Sequence, residues 1–99
     1  MRNLTLAFGA IAERAGFLPG PDGKLNLPAT QETAESLAEA ATAMIGGEWH
    51  PGDERYRVTL TGAGPVWGYL AVAHALHGRA VSLTYESPNA TITVFRHGV

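Results

Sequence analysis

The stretch Thr61-Gly62-Ala63-Gly64-Pro65 is the strongest candidate for chemistry in this chain. Glycines between a strand and a helix let a ligand approach the backbone closely, and the free N–H groups of a helix's first turn favour a negative group. Pro65 has no N–H, so the donors would be Gly64, Val66 and Trp67. A lone Gly-x-Gly is equally what a tight strand-to-helix turn needs without any ligand. His74 and His77, three apart, share one side of a helix. Neutral imidazole can bind metal or shuttle protons near neutrality, although a histidine on a helix is more often an ordinary surface or core residue. His77 at a helix end, Glu86 after the next strand and His97 after that strand's hairpin partner are a set that helix and strands could bring to one edge. Trp67 and Tyr69 flank the glycine turn, and Trp49 and Tyr85 lie near other loop ends. Aromatics beside a phosphate site suit base stacking, and core packing is the competing role for each.

The elements that would hold these residues are readable from pattern. Leu4–Phe8 predicts a strand, and Ala10–Phe17 fits either its bent continuation or a helical turn. Gly20-Pro21-Asp22-Gly23 is a turn, because proline presets φ and glycine accepts positive φ. Lys24–Leu27 predicts a short strand. Thr30 is the expected N-cap of a helix whose apolar stripe is Ala34, Leu37, Ala38, Ala41 and Met44, with Glu32, Glu35 and Glu39 on the solvated side and Gly46-Gly47 ending it. A polar loop over Glu48–Glu54 leads to a strand at Arg57–Thr61. Pro65 is expected at the first position of a second helix reaching His77, stopped by Gly78. Strands at Ala80–Tyr85 and Ala90–Phe95 then form a hairpin around Ser87-Pro88-Asn89. The order predicts one mixed sheet with helices on one face.

Ninety-nine residues, 45% of them hydrophobic, fit one domain over residues 1–99. Without cysteine there is no disulfide, thiolate metal site or cysteine nucleophile, and a cytoplasmic location is the default expectation. Neither a membrane-length apolar run nor a signal-peptide pattern is present, so no membrane partner is expected. A net charge of −2 argues against a duplex nucleic-acid binder. Even so, Arg55, Arg57, Arg79 and Arg96 face only Glu86 as an acid beyond position 55, making the C-terminal half locally basic.

The run Leu60–Trp67, continued through His74, His77, Tyr85-Glu86 and His97, resembles the small CRISPR-associated ring nucleases of the ferredoxin-like type. In that family a Gly-x-Gly-Pro-x-Trp turn leads into a histidine-bearing helix, then a strand ending Tyr-Asp-Pro and a hairpin closing on histidine. Matched without gaps over roughly the last forty residues, Gly62, Gly64, Pro65 and Trp67 fall on the turn, and His77, Tyr85 and His97 on the family's helix-end histidine, tyrosine and terminal histidine. Three positions depart from it. Glu86 stands for an aspartate, Pro88 for an arginine, and Ala63 for an arginine within the turn. Arg79 and Arg96 are the candidates to replace the lost cations.

The resemblance implies an α+β fold, ferredoxin-like, with one mixed sheet and two helices on one face. It implies binding of cyclic tetra-adenylate, the messenger of type III CRISPR defence, and cleavage of its phosphodiester bonds. Gly62, Ala63, Gly64, Pro65, Trp67, Arg79 and Arg96 would hold the ligand. His77, Glu86 and His97 would hold a divalent metal such as manganese, activate water or protonate the leaving oxygen. A pseudo-symmetric ring suits a homodimer, or a higher assembly with the ring sandwiched between dimers. The alternatives are a non-catalytic protein that sequesters the ring and an unrelated small α/β regulatory module.

Overall fold

The computed structural model describes residues 2–45, 56–77 and 79–96. Strands β1 (Arg2–Ala7), β2 (Tyr56–Thr61) and β3 (Ser82–Ser87) are parallel, and β4 (Ala90–Arg96) returns antiparallel to β3, in the order β1-β2-β3-β4. Parallel neighbours need crossovers. Helices α1 (Phe8–Arg14) and α2 (Gln31–Met44) make the first, and α3 (Val66–Leu76) makes the second. Helix α2 packs between α1 and α3, so the three form one layer on the sheet. This is the expected α+β arrangement, a mixed sheet backed by helices. A third helix joins the two read from sequence, because Phe8, Ile11 and Ala12 are spaced for one helical face and all three are buried.

Strand alternation divides the sheet's two faces. Leu4, Val58, Leu83 and Phe95 share one cross-strand row, and Leu6, Leu60, Tyr85 and Ile92 another. Leu6, Val58, Leu60 and Leu83 are buried with Leu37, Ala41, Val72 and Leu76 from the helices. Each large aliphatic side chain so buried contributes roughly 1.5–3 kcal/mol. On the other face Thr5, Thr59, Thr84 and Thr93 form a row of hydroxyls, and Arg57 and Arg96 flank Ser82 in the next.

Several local expectations need correction. Lys24–Leu27 is not a strand. Backbone bonds there stay within the turn, Gly20 N–H donating to Lys24 O at 2.9 Å, while Leu25 and Leu27 lean on the core as a strap. The first strand ends at Ala7, and Phe8 opens α1. Pro65 is the N-cap of α3, one position earlier than expected, with its carbonyl accepting from Gly68 and Tyr69 N–H at 3.0 and 3.1 Å. Thr30 caps α2 as its sequence implies, its hydroxyl accepting from Thr33 N–H at 3.2 Å. The Gly46-Gly47 stop, the Glu48–Glu54 loop with Trp49, the Gly78 stop and His97 lie outside the described residues.

Candidate functional site

The C-terminal ends of the three parallel strands meet at one sheet edge, where open α/β sheets commonly bind ligands. Ala7 pairs with Thr61, and Thr61 with Glu86, so the ends of β1, β2 and β3 lie side by side there. Gly62 leaves β2 at φ +96°, a backbone conformation that L side chains resist, and the turn through Ala63 and Gly64 is exposed. Helix α3 starts immediately beyond it, and the N–H groups of Val66 and Trp67 in its first turn have no intrahelical acceptor. Glu86 is exposed one strand away, about 5 Å from Thr61 along the hydrogen-bonding direction.

A second reason for the glycines was not legible in sequence. The ring of Phe8, fully buried, sits beneath the turn. A Cβ on Gly64 would lie 2.6 Å from Phe8 Cδ1, and one on Gly68 2.7 Å from Phe8 Cζ. A Cβ on Gly62 would meet the Phe8 backbone nitrogen at 3.2 Å. Packing against Phe8 therefore accounts for Gly62, Gly64 and Gly68 whether or not anything binds above them. Pairing of Ala7 with Thr61 places Phe8 there, a consequence of parallel register that no spacing along the chain reveals.

The structure does not bring His77 and Glu86 together. Helix α3 runs away from the glycine edge, so His77, its C-cap, lies at the far end, stacked edge-on against Phe95 with ring centroids 5.1 Å apart. Phe95 pairs with Leu83, three residues before Glu86, or about 10 Å along β3. Among the described residues no three metal-ligating side chains cluster. The proposed manganese ligands His77 and Glu86 thus do not form a site within one chain.

Arg79 and Arg96 are also at the far end. Arg79 lines a shallow depression with Glu39 and Thr42 of α2, and Arg96 pairs with Ser82 at the start of β3. Both follow from direction: α3 carries the chain down from the glycine edge, and β4 returns it there after the hairpin. Trp67 is half-buried and packs against the core. His74 is exposed in the last turn of α3.

Beside the glycine edge runs a groove of about 400 Å³ between α3 and β4. It is lined by Leu60, Tyr69, Leu70, Tyr85, Ile92 and Val94, and reaches Gly64 and Val66 at the turn. Phe8, Tyr69 and Tyr85 form an aromatic chain leading into it, with centroids 4.8 and then 5.3 Å apart. The Tyr69 hydroxyl is buried and has no hydrogen-bond partner among the described residues. Burial first, and the adjacent Tyr85 phenol second, push the Tyr69 phenol above its ordinary pKa. The sequence did carry a signal for this groove. Helix α3, Val-Trp-Gly-Tyr-Leu-Ala-Val-Ala-His-Ala-Leu, is apolar nearly all round, so a helix covering a single sheet must expose part of its apolar surface.

No family model, curated protein or solved structure matches this chain.

Proposed function

We propose that this chain binds cyclic tetra-adenylate at the glycine edge and cleaves it as a ring nuclease, lowering type III CRISPR signalling. The observation that carries the proposal is the convergence of the Gly62–Pro65 turn, the first turn of α3 and Glu86 on one sheet edge. These residues belong to the segment that resembles the ring nucleases. Backbone N–H groups of Val66 and Trp67 supply an anion seat for a ring phosphate, and the Glu86 carboxylate is the nearby group able to accept a proton from an attacking hydroxyl or water. His77 and Glu86 of one chain cannot act on the same phosphate. If both take part, they come from different copies, which the homodimer or a higher assembly would provide. No step is assigned to a metal, because His77 and Glu86, two of the three residues expected to hold it, do not meet in one chain.

A sequestering protein is the second reading. The distance between His77 and Glu86 favours it, as do Ala63 and Pro88 at positions where the family carries arginine. An unrelated regulatory module is the third, favoured by the packing of the glycines on Phe8. Incubation with labelled cyclic tetra-adenylate, with and without manganese, separates the three. Linear products support the enzyme, retention of intact ring supports sequestration, and absence of binding removes both.

A further inference from the structure

The core face of the sheet runs out of helices before it runs out of strands. In the cross-strand row Leu6, Leu60, Tyr85 and Ile92, the first two side chains are buried, whereas Ile92 is 56% exposed. Val94, on the same strand, is 51% exposed. The helix layer follows the order α1, α2, α3, and the groove of about 400 Å³ lies beside α3, where a fourth helix would rest on β4. No charged side chain lines it. One wall is the ridge of α3, where Val66 is 75% and Leu70 65% exposed, and α3 itself carries no lysine, arginine or carboxylate. Helices that lie on membranes carry basic residues on their polar side, so a lipid surface fits this face poorly. An apolar ridge beside an apolar groove of the same length is the pattern of an isologous contact, in which one patch meets its own copy.

We propose that a second copy of this chain covers the groove: the α3 helices of two copies lie side by side, each filling the place over the other's β4. Val66 and Leu70 then pack on the partner's Ile92 and Val94. For each helix to enter the other's groove, the two-fold axis must run along the helices and between them. Half the surface of a helix of 11 residues, about 16 Å long and 10 Å wide, is roughly 250 Å². With the matching groove the contact covers roughly 500 Å² per copy, about 1,000 Å² in all, the lower limit for a specific interface, so the dimer should dissociate in the micromolar range. The interface stands on the chemistry of this face and does not need the ring-nuclease reading. One consequence does rest on that reading: the axis sets both glycine turns at the same end, so two anion seats and two positive helix ends face one ligand.

The chain has no cysteine, so single introduced cysteines report contacts between copies. Sedimentation without any ligand is expected to show a monomer–dimer equilibrium. Leu70→Arg and Ile92→Arg, at exposed positions on the two sides of the contact, should each weaken association by on the order of a hundredfold, with the circular dichroism of wild type. Oxidised Ala73→Cys, on the groove side of α3, should form a covalent dimer, and Thr59→Cys, on the open face of the sheet, should not. Wild type that stays monomeric at millimolar concentration, or a dimer that withstands both arginines, would overturn the interface. So would a covalent dimer through Thr59→Cys but not Ala73→Cys, since the copies would then stack through the other face of the sheet. A cyclic tetra-adenylate arm separates the two proposals. A dimer with these properties that does not bind the ring rejects the ring-nuclease function alone, and ring binding by a chain that stays monomeric rejects the interface alone.

Discussion

At the residue scale, Gly64 is held by a ring beneath it as much as by any ligand above it. The atoms its Cβ would strike belong to the body of Phe8, which is fully buried and has nowhere to retreat. Gly64→Ala should therefore cost about 1–3 kcal/mol in chemical denaturation, before any effect on binding is considered. Combining it with Phe8→Leu should give less than the sum of the two single losses, because the shorter side chain removes the clash. Strict additivity would mean that Phe8 is not the obstacle. A binding defect in any Gly64 variant accordingly needs a stability measurement beside it. Tyr69 gives a second residue-level expectation. Its folded pKa is raised, so the neutral phenol stabilises the fold fully below the pKa of an unfolded tyrosine, and that contribution is lost as pH rises through the folded value. Wild type should lose stability in the alkaline range more steeply than Tyr69→Phe, as thermal melts across that range would reveal.

At the scale of elements, α2 combines a local signal with a tertiary one. The Thr30 hydroxyl meets Thr33 N–H, and the Thr33 side chain is itself buried and lies 2.9 Å from the Thr30 hydroxyl. Thr30→Ala should cost about 1 kcal/mol in equilibrium unfolding, the usual value of a lost N-cap. Leu37→Ala, at the centre of the buried stripe, should cost about 2–5 kcal/mol because it also leaves a cavity between α2 and the sheet. If the first loss equalled the second, the cap rather than the packing would be holding α2. Helix α3 behaves differently: its inner side, Gly68, Val72 and Leu76, is buried, while Val66 and Leu70 remain in water beside β4. The small Gly68 lets α3 come down onto Phe8, and this close approach sets where the groove opens.

At the scale of the whole molecule, the two ends of the sheet carry different chemistry. The glycine turn and Glu86 stand at one end, His77 and Arg96 at the other. On the ring-nuclease proposal, Glu86→Ala and His77→Ala chains should each lose cleavage, and a mixture of the two should regain part of it if the residues act from different copies. Two inactive variants that stay inactive when mixed, in an assembly shown by light scattering to contain both, would rule out that cross-copy arrangement. Full activity in either variant alone would remove that residue from the mechanism.

The residues themselves determined what depends on neighbours along the chain. The Thr30 cap, the Ser87-Pro88-Asn89 hairpin turn closed by Ser87 Oγ on Ala90, the alternation of the strands and the apolar stripe of α2 all follow from spacings of a few residues. So does the α+β class, which is the order of those elements. Three decisions belonged to the tertiary structure. Parallel pairing of β1 with β2 set Phe8 under the glycine turn, giving those glycines a packing role. Chain direction, down α3 and up β3, parted His77 from Glu86 although only eight residues separate them in sequence. The layering of α3 over the sheet beside β4 left an open apolar groove. Each depends on which segments become neighbours across the sheet, and burying one continuous apolar core decides that for the whole chain at once.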